Sequence, residues 1–238
     1  MSRRTLAGAI ATPEEKRRYV RTLFATIADR YDLITRALSY GQDRRWKARL
    51  VRMASPRPGA SVLDLATGTG DIAAACADRG ALVVGLDVTR RMIELAHGKH
   101  GARVRFLVGD MLALPFPSAS FDIVTTGYGL RNVPDLLAAL AEIQRVLKPG
   151  GAILSLDFNR PSSPVVRAAY LTYLDVVGGV LGLVLHRDPD TYRYIPASIR
   201  RYPGADAVAE MMRALGFSRT DYHPVLGGLM AIHHGIRD

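Results

Sequence analysis

Two hydrophobic patterns alternate along the chain: apolar residues at helical spacing, and short unbroken apolar runs. Thr12-Pro13-Glu14-Glu15 has the form of a capping box with proline at the first helical position. Val20, Leu23, Phe24, Ile27 and Tyr31 follow at helical spacing and predict one helix running through Tyr31. A short polar connection leads to Gly41, Arg44, Arg45, Trp46 and Lys47, on or near a second helix. Pro56-Arg57-Pro58-Gly59 breaks the helical pattern. Apolar runs then predict strands at 61–65, 82–86, 104–108, 121–126 and 152–156. Helical patterns lie between them over 72–77, over 90–97 with Thr89 as cap, and from Pro134 to Leu147, where Lys148-Pro149-Gly150-Gly151 stops the helix.

Strands alternating with helices imply parallel right-handed crossovers and a doubly wound α/β sheet. The end differs: 217–225 and 229–235, joined at Gly227-Gly228, read as a hairpin. Between the fifth strand and this hairpin, 159–216 holds a mostly apolar helix over 165–185 and a tyrosine-rich polar stretch. The expected organisation is one domain over 1–238. It comprises N-terminal helices over 1–58, a core over 59–158, a helical insertion or lid over 159–216 and the hairpin over 217–238. The N-terminal helices and the insertion should meet over one edge of the sheet.

Composition narrows the class. A chain of 238 residues with 48% apolar content fills a sizeable core and is not intrinsically disordered. The single cysteine, Cys76, excludes an intrachain disulfide and a cysteine zinc cluster. The longest strongly apolar run without a charge, Val176 to Leu185, is ten residues, against about 20 for a membrane span. Arg3, Arg4 and the weakly apolar stretch from Leu6 to Ala11 make a poor signal peptide, so the expectation is a cytoplasmic protein. Net charge is +10, and 28 of the 32 basic residues are Arg. Such a surplus suits an anionic lipid surface or an anionic substrate, or reflects base composition alone. No basic block and no zinc-finger or RNA-binding signature favours nucleic acid.

The strongest local signal is Asp64-Leu65-Ala66-Thr67-Gly68-Thr69-Gly70-Asp71 at the end of the first strand. Its glycines permit a tight turn close to a ligand. Ala73 stands where a dinucleotide fingerprint has its third glycine, and no Gly-Lys-Ser/Thr phosphate loop occurs. Asp87 ends the second strand, where a carboxylate accepts ribose hydroxyls, and Asp110 ends the third, where it accepts an adenine amine. The alternative is that Asp64 and Asp71 cap a helix and Asp87 starts a turn. His233 and His234 point to opposite faces of a strand and cannot share a metal; no metal is expected.

This spacing resembles that of class I S-adenosylmethionine-dependent methyltransferases, whose mostly parallel, Rossmann-like seven-stranded sheet ends in such an antiparallel hairpin. Further segments resemble the UbiE/MenG (Coq5) family of quinone-biosynthesis C-methyltransferases. They include Gly41-Gln42-Asp43-Arg44-Arg45-Trp46-Lys47, Gly129-Leu130-Arg131-Asn132-Val133 and Tyr192-Arg193-Tyr194-Ile195. The resemblance implies cofactor contacts at Thr69, Asp87, Asp110, Met111 and Gly127, beside the turn residues Asp64, Gly68 and Gly70 already read as cofactor-binding. The family often has Asn at the position of Asp110, Ser at that of Gly127 and Phe at that of Tyr128.

The implied substrate is a lipophilic quinol, demethylmenaquinol or its ubiquinone-pathway counterpart. Other readings are another lipophilic or aromatic substrate, or an inactive cofactor-binding partner in a biosynthetic complex. Ring methylation needs a phenolate stabilised near the methyl donor. Arg131 is the expected stabiliser, with Asn132 orienting it or a proton-accepting water, and Tyr128 adding a hydroxyl near the reacting centre. An Arg-activated water as base and simple pairing of Arg131 with a carboxylate such as Asp157 remain alternatives. Tyr31, Tyr192 and Tyr194 are expected to line an aromatic substrate mouth, and Trp46 to pack. Helix 165–185 suits a lipid tail, peripheral contact with an anionic membrane, or burial against the protein or a second copy in a homodimer.

Overall fold

The computed structural model describes residues 6–238; Arg3 and Arg4, used in reading the leader, lie outside them. The capping box forms: the Thr12 hydroxyl accepts from the Glu15 amide, and the Glu15 carboxylate accepts from the Thr12 amide. After a short α1 (Leu6–Ala9), α2 spans Pro13–Ile27. The predicted helix does not run straight through Tyr31. A 3-10 turn at Ala28–Arg30 re-aims the chain into α3 (Tyr31–Leu38), so the expected polar connection shrinks to 39–42 before α4 (Asp43–Ala54).

The core strands are β1 (Ser61–Leu65), β2 (Leu82–Asp87), β3 (Arg105–Val108), β4 (Phe121–Gly127) and β5 (Leu147–Phe158). The helices between them are α5 (Asp71–Ala77), α6 (Arg90–His100) and α7 (Leu136–Val146). Two local expectations need correction. Thr89 makes no side-chain cap; its amide instead donates to Asp87. Lys148-Pro149-Gly150-Gly151 does not separate helix from strand, because Leu147 already pairs with Phe121 and the irregular stretch is absorbed within β5.

The sheet is completed by β6 (Phe217–Val225) and β7 (Met230–Arg237), giving the order β3-β2-β1-β4-β5-β7-β6. The first five strands are parallel; β7 runs antiparallel to both β5 and β6. Central strands are apolar on both faces because helices cover both. Leu63, Leu65, Val124 and Ile153 pack toward α7, while Val62, Leu154 and Leu156 pack toward α4 and α5. Register aligns the strand ends: Leu65 faces Leu86 and Thr126, which brings Ala66, Asp87 and Gly127 to one edge.

The insertion forms three helices, α8 (Pro164–His186), α9 (Asp190–Arg201) and α10 (Ala205–Ala214). The tyrosine-rich stretch is thus helical, with Pro196 inside it. Only two of the three cap the sheet edge. Val208 and Met212 of α10 pack into the sheet core beside Leu140 and Phe217. Tyr192 and Tyr194 of α9 close a separate core with Val20, Leu23, Ile27 and Ile34, so the N-terminal helices and the insertion do meet.

Candidate active site

The turn after β1 is built from left-handed residues, Ala66, Gly68 and Gly70. A Cβ on Gly70 would lie 2.9 Å from the Phe106 ring, so the close approach requires glycine. Asp64 lies buried beneath the turn, where its two oxygens accept from the hydroxyls of Thr67 (2.6 Å) and Thr125 (2.7 Å). Thr69, also buried, turns to α3 instead, its hydroxyl donating to Asp32 at 2.7 Å.

A cavity of about 730 Å³ lies over the carboxyl ends of β1, β2 and β4. Of the expected cofactor contacts, Gly68, Asp87, Asp110, Met111 and Gly127 line it. Asp64 and Thr69 line a smaller adjoining cavity with Lys47, and Gly70 lines neither. Asp64 and Gly70 therefore shape the turn from outside the larger cavity. Asp87 accepts from the amides of Gly68 (3.0 Å) and Thr89 (2.8 Å). Burial raises its pKa, and those amides oppose the rise. Asp110 accepts from the Leu112 amide at 3.0 Å and also pairs with Arg17 of α2, so any adenine amine there shares its carboxylate with Arg17. Two carboxylates flanking an apolar slot of Leu86, Val88, Met92 and Met111 suit an adenine nucleoside. These acceptors and the apolar slot between them thus fit S-adenosylmethionine.

Beyond β4, Tyr128 takes a left-handed conformation and Leu130–Asn132 form a 3-10 turn. Arg131 is buried there, its Nε 3.0 Å from Asp157 Oδ1. Its amide donates to Asp157 Oδ2 at 3.1 Å, and its Nη1 donates to Asn132 (3.1 Å) and Ser198 (2.7 Å). The pairing with Asp157 is real. It fixes the guanidinium without removing it from the second cavity, which Arg131 lines. Asn132 lines the first cavity and links its neighbours: its Oδ1 accepts from Arg131 and Tyr194, and its Nδ2 donates to the Tyr128 carbonyl. The Tyr128 hydroxyl does not point at a free reacting centre; it donates to Asp43 at 2.7 Å, and burial holds its pKa well up.

Lys16, Ser198 and Asp43 enter this network unforeseen. The Lys16 ammonium donates to the carbonyls of Arg131 (3.0 Å) and Val133 (2.5 Å), and burial beside Arg131 lowers its pKa to about 8. Asp43 lies in the quoted Gly-Gln-Asp-Arg-Arg-Trp-Lys segment and is also held by Lys47 at 2.7 Å.

The second cavity, of about 1210 Å³, is predominantly apolar. Leu23, Ile27 and Ile34 line it from the N-terminal helices, and Leu174, Tyr192 and Tyr194 from the insertion. Phe24, Tyr31 and Tyr128 belong to both cavities and form the junction. The expected aromatic mouth, Tyr31, Tyr192 and Tyr194, is thus brought together, although Tyr192 and Tyr194 are deeply buried. Trp46 both packs in the core and touches the cavity. His233 bonds the Ala205 carbonyl at 3.0 Å, and among the described residues no cluster of three metal-ligating side chains occurs.

Asp64 provides a pH test. Burial raises its carboxyl to about 6, above the ordinary value near 4, while the two threonine hydroxyls oppose the rise. Between about pH 4 and 6 the folded state then holds the proton more tightly than the unfolded chain, so this group's contribution to stability falls as pH rises. Thermal unfolding of wild type and Asp64→Asn across pH 4–7 should show a difference that changes through that window. A constant difference would mean that Asp64 titrates normally.

The sheet order, its antiparallel end and the acid-flanked nucleoside cavity define a class I S-adenosylmethionine-dependent methyltransferase. Its residues 12–237 match the ubiE/COQ5 methyltransferase family, and the chain belongs to that family. It is 43% identical over 220 residues to a demethylmenaquinone methyltransferase of Thermus thermophilus, covering 90% of this chain and 100% of that protein. It is 37% identical over 233 residues to the ubiquinone/menaquinone biosynthesis C-methyltransferase UbiE of Shewanella frigidimarina, covering 94% and 92%. Among solved structures, a Haloferax volcanii methyltransferase in complex with its Trm112 activator shares the fold, with TM-score 0.67, 21% identity and coverage of 90% and 96%. A Thermotoga maritima methyltransferase shares it with TM-score 0.66, 18% identity and coverage of 92% and 100%.

Proposed function

We propose that this enzyme C-methylates the ring of a polyprenylated quinol, demethylmenaquinol or a ubiquinone-pathway benzoquinol. The observation that carries the reading is the large apolar cavity sharing Phe24, Tyr31 and Tyr128 with the nucleoside cavity, with Arg131 in its wall. The names of the similar Thermus and Shewanella proteins support it. When bound, S-adenosylmethionine supplies an electrophilic methyl group. Arg131 stabilises the phenolate that forms when the quinol passes its hydroxyl proton to water, so that charge reaches the ring carbon. Asp157 and Ser198 fix the guanidinium, and Asn132 ties it to Tyr128 and Tyr194. Loss of the proton from the methylated carbon to water then restores the aromatic ring, with S-adenosylhomocysteine as the leaving group. Expression in a strain lacking its quinone methyltransferase, followed by analysis of extracted quinones, tests the reading. Continued accumulation of the demethylated quinone would overturn it.

The enzyme attaches peripherally to anionic membrane through α8. The ten-residue charge-free run understated this helix, whose 23 residues are long and apolar enough to cross a membrane. Ala169, Tyr173, Val176, Val180 and Leu183 recur every three or four residues and are exposed, forming one apolar stripe. The +10 charge adds attraction screened over about 8 Å at physiological ionic strength. Co-sedimentation with anionic vesicles should fall as salt rises; no binding at low salt would count against it. The same a/d-like spacing suits a second copy. A vesicle-independent dimer in sedimentation velocity, lost in Val180→Glu, would assign the stripe to dimerisation.

A further inference from the structure

The apolar cavity has one deep end and one open end. Arg131, Tyr128 and Tyr194 are buried at the first. Tyr40, Leu226 and Tyr173 also line it, yet they are 77%, 53% and 41% exposed, so they form its rim. Tyr40 follows α3 and Tyr173 belongs to α8, and their hydroxyls meet at 2.5 Å across that rim. Consecutive left-handed residues, Tyr40 and Gly41, turn the chain there and present the Tyr40 ring outward. Tyr173 is also a member of the exposed stripe on α8, so the rim opens directly onto that apolar surface.

We propose that the Tyr40–Tyr173 pair and Leu226 form the portal through which the substrate's prenyl chain leaves the cavity, and that this portal selects tailed over tail-less quinols. The inference rests on the quinol reading above. A quinol ring placed against Arg131 and Tyr128 directs its chain along the apolar lining, which includes Leu174 and Ile34, toward the rim. A chain longer than the cavity must pass the tyrosine pair. A hydrogen bond between two exposed hydroxyls is a weak latch, because water replaces either partner when it opens. The rings give the passing chain apolar faces while their hydroxyls stay wet, the property that places tyrosine at lipid–water boundaries. Outside, the chain meets Val176 and Val180 rather than bulk water.

The test compares methyl transfer to a long-chain demethylmenaquinol in detergent micelles with transfer to tail-less 1,4-naphthalenediol. Tyr173→Glu and Leu226→Glu put a carboxylate on the chain's route, which must be dehydrated as the chain passes. Each should lower kcat/KM for the long-chain quinol, relative to the tail-less one, by about tenfold or more. Tyr40→Phe keeps the ring and removes the latch, and should raise the same ratio by up to severalfold. Calorimetric affinity for S-adenosylhomocysteine checks folding, and Leu226→Glu at the exposed turn carries the test if Tyr173→Glu misfolds. Unchanged ratios in folded variants, with both quinols methylated, would overturn the portal and leave the quinol reading standing. A wild-type enzyme that methylates neither of these quinols nor a polyprenylated ubiquinone-pathway benzoquinol would overturn that reading, and the portal with it.

Discussion

Arg131→Ala is expected to lower kcat by about a hundredfold or more while leaving S-adenosylmethionine affinity nearly unchanged. Arg131 lines the apolar cavity and not the nucleoside cavity, so its loss removes phenolate stabilisation without touching the cofactor's main contacts. The structure adds a second effect. Arg131 and Asp157 are both buried, and truncating one leaves the other as an uncompensated charge, a loss of about 3–5 kcal/mol. Asp157 is already pushed toward its neutral form by burial and held back chiefly by Arg131. The double variant Arg131→Ala/Asp157→Asn should therefore regain much of the stability and none of the turnover, which separates the two roles. Arg131→Lys should restore only part of the rate. A point charge cannot face Asp157, Ser198 and a phenolate together as the planar fork does. Normal turnover in the folded fraction of Arg131→Ala would make Arg131 an ion-pair partner alone, and the catalytic group would then be sought at Asp157 or among the tyrosines of the late insertion.

What the sequence makes legible here is what short-range pattern controls. The core strands are apolar runs, β2 ends at Asp87 and β4 at Gly127, and parallel register then carries these two and Gly68, just after β1, to one cavity. The Arg131–Asp157 pair is also within reach of sequence, because each residue follows or ends one of two adjacent parallel strands. The contacts that immobilise the centre are not legible in this way. Lys16 reaches carbonyls 115 and 117 residues away, and Ser198 meets Arg131 across 67 residues, with no periodic signal to join them. The break after Ile27 is hidden because Asp29-Arg30 suits either a helix or a turn, and tertiary packing decides. The tyrosine-rich segment reads as irregular because Pro196 is a helix breaker, yet burial of Tyr192, Tyr194 and Ile199 holds it helical.

Asp87→Ala should weaken S-adenosylmethionine binding by about 1–3 kcal/mol, the loss of charge-assisted acceptance from ribose hydroxyls. Asp87 is suited to that task because each oxygen takes one backbone amide, from Gly68 or Thr89, and a carboxylate retains lone pairs for further donors. The variant also frees the Gly68 amide, so part of the loss reflects a looser glycine turn. Asp87→Asn separates the two: its amide oxygen can still accept from one of those amides, but the negative charge toward ribose is gone. Apo stability should fall less in Asp87→Asn than in Asp87→Ala, while cofactor affinity falls in both. The pH dependence follows from burial, which raises the Asp87 pKa above that of an exposed carboxylate. Ribose hydroxyls favour the ionised form, so affinity should drop as pH falls through that raised value, and the drop should be absent in Asp87→Asn. Calorimetry across acid to neutral pH measures both effects, and equal affinity in wild type and Asp87→Ala would remove Asp87 from the cofactor site.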